Sequence, residues 1–454
     1  MRLVIIFTVA FISVLTACVN CELKTEDKEI ERILSRIQAP AFPDNTFNVM
    51  DFQEMNSGKF NFKTAITKAI DSCSLSGGGT VLVPAGDYYC KGPIHLENNV
   101  NLHFEESAVV TFSQSAKDYL PLQFVRWEGV ECYNYSPYFY ANGKKNIAIT
   151  GKGILNGNAE GGDFDCRSKQ KSSQQIMRQM GKDGVPLSER IFGEGHYIRP
   201  SFIQFIHCEN ILVSDITITN VPFWVVHPTY CKNVIVRRIR VDSYRLNNDG
   251  VDPDSSEDVL IEDCWFNTGD DAIAIKSGRD QDAWRVNKTS RDIVIRNCYA
   301  KRTRHGLAFG SEISAGAENI YVRNFEMEKV DNYAIQFKSN RDRGGYLKNI
   351  SVRGITIDST STAVFFTNDY HSYSGGDSPS EFAYIKISDV KCNYASQMGI
   401  NITGVAERPI HNIYFEHIDI GHEEVGSQIL NAEKIHLKDI SINGRSSIRG
   451  IKGF

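Results

Sequence analysis

The chain has 454 residues, 41% of them hydrophobic and 23% charged, which is ample apolar material for a large core. The formal net charge is −5 and no basic run appears, which points away from nucleic acid as a partner. Length alone would suit two or three domains, but elongated β architectures run this long as one unit.

Residues 1–17, "MRLVIIFTVAFISVLTA", place Arg2 ahead of an apolar run that ends in small residues. That is the pattern of a secretory leader, and the run is short for a membrane span. Leu15-Thr16-Ala17-Cys18 resembles a bacterial lipobox, so Cys18 is expected as the lipidated first residue of the processed chain. Plain cleavage after Ala17 is the alternative. The expectation is an exported protein, periplasmic or at the cell surface, with a lipid anchor at Cys18. Residues 18–45 are charged and then proline-bearing, and read as a tether with a short helix. One domain over 46–454 follows. Of the 11 cysteines, Cys208, Cys231, Cys264 and Cys298 lie beside apolar strand-like runs and read as buried thiols, although export would permit a pair or two to join.

The domain opens with a helical pattern, "FKTAITKAIDSC", and a glycine turn into a strand, "GGGTVLVPAGDYY". One short unit then recurs: a polar residue or two, often Asn, followed by alternating apolar residues. It reads "KNIAITGKGIL" at 145, "ENILVSDITIT" at 209, "KNVIVRRIRV" at 232 and "EDVLIEDCWF" at 257, and continues at 291, 318, 348, 383, 411 and 434. Period-2 alternation with β-branched residues marks strands. Most spacings of about 22 to 35 residues mark a solenoid. A leucine ladder is absent, and propeller blades need about 40 residues each. The fold class expected is all-β, a single right-handed parallel β-helix with one coil per repeat.

Residues one coil apart in such a solenoid stack about 4.8 Å from each other. Asp249 and Asp270 are 21 residues apart, Asp271 and His305 are 34, and His305 and Lys338 are 33. Asp249, the Asp270–Asp271 pair, His305 and Lys338 are therefore expected in one row across neighbouring coils. Two carboxylates and a water are what inverting glycoside hydrolysis needs, one acid for the leaving oxygen and one base for the water. Crowding of carboxylates helps keep one of them protonated. Asp252, Asp254 and Asp258 read instead as caps of turns.

These residues resemble glycoside hydrolase family 28, the polygalacturonases. The family's four short motifs have counterparts in the same order: Asn247-Asn248-Asp249, Gly269-Asp270-Asp271, Arg304-His305-Gly306 and Gln336-Phe337-Lys338. Longer runs, including "RWEGVECYNYSP", "VPFWVVHP" and "GDDAIAIKSGR", are similar to its exo-acting, bacterial and plant-like branch. The resemblance implies Asp270 as general acid, with Asp249 and Asp271 holding and deprotonating water. It implies His305 as a tuner of the acid, Lys338 on the uronate carboxylate and Asn247 as an orienting residue. It implies no metal and no organic cofactor, and a pectic oligo- or polysaccharide as substrate.

Two positions depart from the family. Gln336 stands where it has Arg, which removes a bidentate carboxylate donor. Arg304 stands where it has Gly. Further cations, Lys276 and Arg279 among them, lie in or beside the motif segments and suit an acidic ligand. His227 and Trp224 precede Asp249 by one coil, as a sugar-binding wall or as packing. The loop 126–139 and the insertion 157–200 are long enough to close one end of a groove, the arrangement of exo-acting members. The alternatives are a rhamnogalacturonan-specific hydrolase of the same family, a β-helix lyase using Ca²⁺, and a non-catalytic glycan-binding solenoid.

Overall fold

The computed structural model describes residues 26–53, 60–371 and 375–445. The leader and Cys18 lie outside the described residues. The chain winds into a parallel β-helix, right-handed as parallel connections in one sheet require. Each coil repeats the register of the last. Val100, Ile147, Ile211, Val234, Val259, Ile293, Ile320, Ile350, Ile385, Ile413 and Ile435 stand one above another. All eleven are buried, so this ladder is one edge of a continuous core. β-branched side chains fit here because the pleated surface holds them in their preferred rotamers.

The polar residue heading each repeat has a structural reason. Asn99, Asn146, Asn210, Asn233, Asp258, Asp292, Asn319, Asn349 and Asn412 all adopt left-handed backbone, with φ between 53° and 61°. This corner turns the chain into the next strand, and Asn and Asp tolerate it best among residues with a side chain. Their amides also stack. Asn146 donates to Asn99 at 2.9 Å, Asn210 to Asn146 at 2.8 Å and Asn233 to Asn210 at 2.8 Å. Where two acids succeed each other in this row, Arg36 lies between them, 2.9 Å from Asp258 and 2.8 Å from Asp292.

Arg36 follows a helix at residues 26–34. Its Ile33, with Ile37, packs on Ala148, Leu212, Ile235, Leu260 and Val294, the outward residues of five coils. Over residues 26–37 the segment read as a tether is therefore docked along the solenoid. The helix Phe62–Leu75 forms where its pattern places it. Asn61 caps it by accepting from Thr64 N, and Phe62, Ile66 and Ile70 close the first coil. All nine cysteines among the described residues are buried thiols, so no pair there is joined. Cys208 lies one coil below Cys231, and Cys264 below Cys298.

The corner ladder makes a prediction. Asn233→Ala gives up the left-handed preference, about 1–2 kcal/mol, together with its bonds to Asn210 and Gln38. Asn233→Gly recovers the backbone share only. Denaturant unfolding should rank the three proteins wild type, Gly, Ala in falling stability; equal losses would refute the backbone contribution.

Candidate active site

One face of the solenoid starts as the strands Ile94–His95, Phe139–Asn142, Ile203–Ile206 and Val226–Thr229. Bridges Val226–Val251 and Val251–Ile273 carry it into Trp265–Ile275, and from there into Ser290–Gly310 and Ala317–Lys338. Asp271, His305 and Tyr333 are register partners on successive coils, and Asp249 holds the equivalent place two residues before Val251. Much of the expected row is thus present.

Asp270 stands out of that row because the pairing slips between Thr268 and Asp271. The extra residue sends the Asp270 carboxyl outward, while Asp271 stays in the sheet. Gly269 permits the slip: a Cβ there would meet the backbone oxygen of Arg245 at 2.1 Å. Thr303 Oγ1 fixes it by donating to the Asp270 carbonyl at 2.6 Å. Asn247 holds the acid from the other side, with its backbone N and its Nδ2 each 3.3 Å from Asp270 Oδ2. Asn247 is itself gripped through Oδ1 by Arg167 at 3.0 Å and Arg199 at 2.7 Å.

Lys338 corrects the expected single row. It pairs with Gly310 and Thr367, at the far end of the strand, in the row that also holds Lys276. Equal spacing counted the coil length correctly but not the position within the coil. Gly310 leaves open the space between the two lysines. Lys338 Nζ reaches back to Asp271 Oδ2 at 3.0 Å, and His305 Nδ1 lies 2.7 Å from Asp271 Oδ1. Burial alone would raise Asp271, but Lys338 and His305 outweigh it and hold the carboxyl far below its ordinary range. His305 is stacked on Tyr333, which in turn stacks on Phe365.

Lys276 Nζ sits among three acids, 3.4 Å from Asp249 Oδ2, 3.7 Å from Asp252 Oδ1 and 3.5 Å from Glu312 Oε2. It also lies over the Trp224 ring at 4.3 Å. Arg279 pairs with Glu312 and donates to the Glu128 carbonyl at 2.9 Å. These groups face a cavity of about 390 Å³ that is also lined by Asp249, Asp270, Asp271, His305, Lys338, Arg304 and Asn247. Arg304 is exposed at its rim.

Two residues expected at the substrate are elsewhere. His227 is fully buried, between Gln204 at 3.0 Å and Asp254 at 3.3 Å, so the wall at this point is Trp224 alone. Gln336 is fully buried in the stack between Ala308 and Phe365 and does not line the cavity. The acids read as turn caps also have other roles. Asp254 accepts from the buried Arg126 at 2.8 Å, Asp258 from Arg36, and Asp252 lies behind Asp249.

Sequence reasoning missed Glu128, Glu312, Arg167, Arg178 and Tyr370 on the cavity wall. The first, third and fourth arrive on the loop and the insertion. Arg178 holds Glu128 at 2.6 Å, and Gln174 holds it at 2.8 Å. The insertion is locked down by Arg190 on Asp282 at 2.7 Å, and Trp127 donates to the Arg199 carbonyl at 2.9 Å. One end of the cavity is therefore a built wall.

A β-helix whose groove gathers three aspartates, a histidine and a shell of cations is a carbohydrate-cleaving enzyme, a glycoside hydrolase. The chain belongs to glycosyl hydrolases family 28, whose model matches residues 73–441. It is 25% identical over 387 residues to a "Probable polygalacturonase" of Vitis vinifera, covering 82% of this chain and 74% of that protein. Its fold superposes with a TM-score of 0.86 on a hyperthermoactive exopolygalacturonase from Thermotoga maritima. Those two chains are 32% identical over 93% of this chain and 97% of that one. A family 28 exopolygalacturonase of Yersinia enterocolitica shares the fold at 20% identity and a TM-score of 0.72, over 90% and 78% of the two chains.

Lys338→Met isolates the electrostatics of this site. Asp271 has a depressed folded value, so its stabilisation is fully present above the unfolded carboxylate value near 3.9 and is lost as pH falls from there toward the much lower folded value. Without Lys338 a buried carboxylate loses its cation, a cost of about 3–5 kcal/mol. Unfolding should show a large deficit against wild type from pH 7 down to about pH 4 that shrinks as the pH falls further; a deficit that stays constant at lower pH would exclude this pairing as its cause.

Proposed function

We propose that the protein is an exported, exo-acting, inverting galacturonosidase that removes terminal α-linked galacturonate from pectic chains. The observation that carries the reading is the cavity itself. It is closed on one side by the anchored insertion and lined by seven cationic against five acidic side chains. A blind end accepts the end of a chain, and surplus cations suit the carboxylate of a uronate.

In this reading Asp270, the most open of the three acids, protonates the leaving oxygen. Water attacks the anomeric carbon from the Asp249 side as the glycosidic bond breaks, and gives its proton to Asp249. Asp270 and Asp271 carry oxygens within 4.8 Å of each other, too close to admit the water of an inverting pair between them, which favours Asp249 as the base. Asp271, fixed by Lys338 and His305, supplies permanent negative charge to the oxocarbenium-like transition state. Lys338 offers its remaining donor capacity to the uronate carboxylate. Arg304 is the cation at the rim, its Nε 3.2 Å from the Asn332 side-chain amide, and takes over the recognition that buried Gln336 does not perform.

That exchange also favours a second reading, a subsite re-specified for rhamnose-containing or branched fragments. A product profile separates the two. Incubation with polygalacturonate, rhamnogalacturonan oligosaccharides and mixed pectic fragments should release monogalacturonate from polygalacturonate from the first minutes. Early NMR should show the β anomer, and a chelator should have no effect. Asp270→Asn should lose at least about 10²-fold in turnover. Turnover confined to branched fragments would establish the second reading, and none on any substrate would sink both. Arg304→Ala should lower kcat/KM on the uronate substrate about 10- to 100-fold, the scale of one charged hydrogen bond. Unchanged kinetics would remove Arg304 from the site.

Export and the lipid anchor rest on the leader and Cys18 alone. Fatty-acid labelling of the expressed chain, abolished by Cys18→Ser, would test them.

A further inference from the structure

Among the described residues, Asp252 is the acid beside Lys276 that does not face the cavity. It is completely buried, and both its carboxyl oxygens lack a partner. Its neighbour Asp254 shows what a structural acid looks like here, held by Arg126 at 2.8 Å and by His227 at 3.3 Å. Asp252 has only Lys276, at 3.7 Å, and Lys276 lies closer to Asp249. A buried, fully ionised carboxylate with so little compensation is strongly destabilising. Protonation removes that cost.

The surroundings fix the charge count. Asp249 and Asp252 are the same short segment's two acids beside Lys276. Glu312, the third acid on this lysine, also has Arg279. Asp271 is neutralised by Lys338 and His305. Asp254 is paired with Arg126 and His227. One cation thus remains for two carboxyls in contact, and like charges this close do not both ionise. Burial pushes both groups well above the ordinary carboxylate range, helped by the charge of Asp252 at Asp249 and by that of Asp271 at Asp252. Asp249 is nearer the cation and borders the cavity, where a charged group is better solvated.

We propose that Asp252 is a positioning residue for the water-activating base: it keeps the single proton of the Asp249–Asp252 pair and leaves Asp249 charged toward the cavity. The inference rests on the glycosidase reading for its role in turnover. In the step, the attacking water forms the new C–O bond and passes its proton to Asp249. The Asp270 proton goes to the leaving oxygen as the glycosidic bond breaks. The pair then carries two protons, and Asp270 is ionised. Return of one proton through solvent from Asp249 to Asp270 restores the resting state. The net change is addition of one water across one glycosidic bond.

Asp252→Asn tests this. It keeps the shape and removes the titrating group, so Asp249 becomes a lone carboxyl beside Lys276. Asp252 is neutral in the active form, so exchange for neutral Asn should leave the acid limb of kcat/KM in place, whereas Asp252→Leu, which cannot donate a proton to Asp249, should raise it by about one unit or more. An acid limb that moves to lower pH in the Asn variant would mean that Asp252 is charged in the wild type, and an unmoved limb in the Leu variant would mean a merely structural role; either would overturn the proposal. Isotope-edited infrared spectroscopy gives a readout that needs no substrate. In an Asp270→Asn background, which removes the general acid's own proton, the protein at pH 7 should show a protonated-carboxyl band that adding Asp252→Asn abolishes; absence of that band, or its persistence with both substitutions, would overturn the proposal. Asp252→Ser serves the same measurements if the Asn variant does not fold. If no pectic substrate is cleaved but the band behaves as expected, the glycosidase reading fails and the shared proton stands.

Discussion

Everything in this molecule depends on the fixed distance between coils. Parallel strands sit about 4.8 Å apart, so a side chain meets the occupant of the same position one coil on. Like therefore stacks on like, and each row must be made of groups that tolerate their own company. Isoleucine and valine do so in the core, asparagine does so at the left-handed corner, and Phe309, Phe337 and Phe366 do so as rings 4.4 and 4.2 Å apart. Charges do not. Where acids succeed one another the fold has to bring in a cation, as Arg36 shows on the outer face.

The catalytic face is that constraint turned to use. Stacking forces Asp249 and Asp271 onto neighbouring coils, and the slipped pairing adds Asp270 beside them. Two lysines from a single row, two coils apart with Gly310 between them, reach into this cluster from different directions. Lys338 takes Asp271, and Lys276 is shared among Asp249, Asp252 and Glu312. The outcome is three aspartates with three different environments. One is deeply buried between a lysine and a histidine, one borders the cavity with a second buried carboxyl behind it, and one is more open and held by Asn247. Division of labour between acid and base follows from such differences in surroundings.

Periodicity explains what could be read from the sequence. The solenoid, the helix over 62–75 and the row of Asp249, Asp271 and His305 all repeat at coil spacing, so they were legible without any structure. Lys338 was legible as a site residue but misplaced, because spacing gives the coil and not the position along the strand. Gln336 sits two residues before Lys338, yet it is sealed between Ala308 and Phe365. His227 was read from its neighbourhood, but Gln204 and Asp254 claim its ring. Glu128, Arg167 and Arg178 belong to segments outside the repeat, and where such segments dock is decided by buried ion pairs that leave no period. Asp252 looked like a turn residue because aspartate is common at turns; only its unsatisfied, buried oxygens separate it from Asp254.

The docked insertion does more than narrow the groove. Charges that are partly buried are poorly screened, so each cation acts more strongly on a carboxylate brought into the cavity. Burial also raises the cost of any charge left without a partner: Arg178 and Arg279 each lie against an acid of the wall, and Arg343 lies against Asp280 behind it. Arg304 differs because it stands at the exposed rim, with no acid within ion-pair distance among the described residues and only an amide beside it. Water solvates it there, so it needs no protein counter-ion and remains available. In the proposed reading, a guanidinium at the mouth of the cavity offsets the repulsion that the three aspartates inside would exert on an anionic sugar.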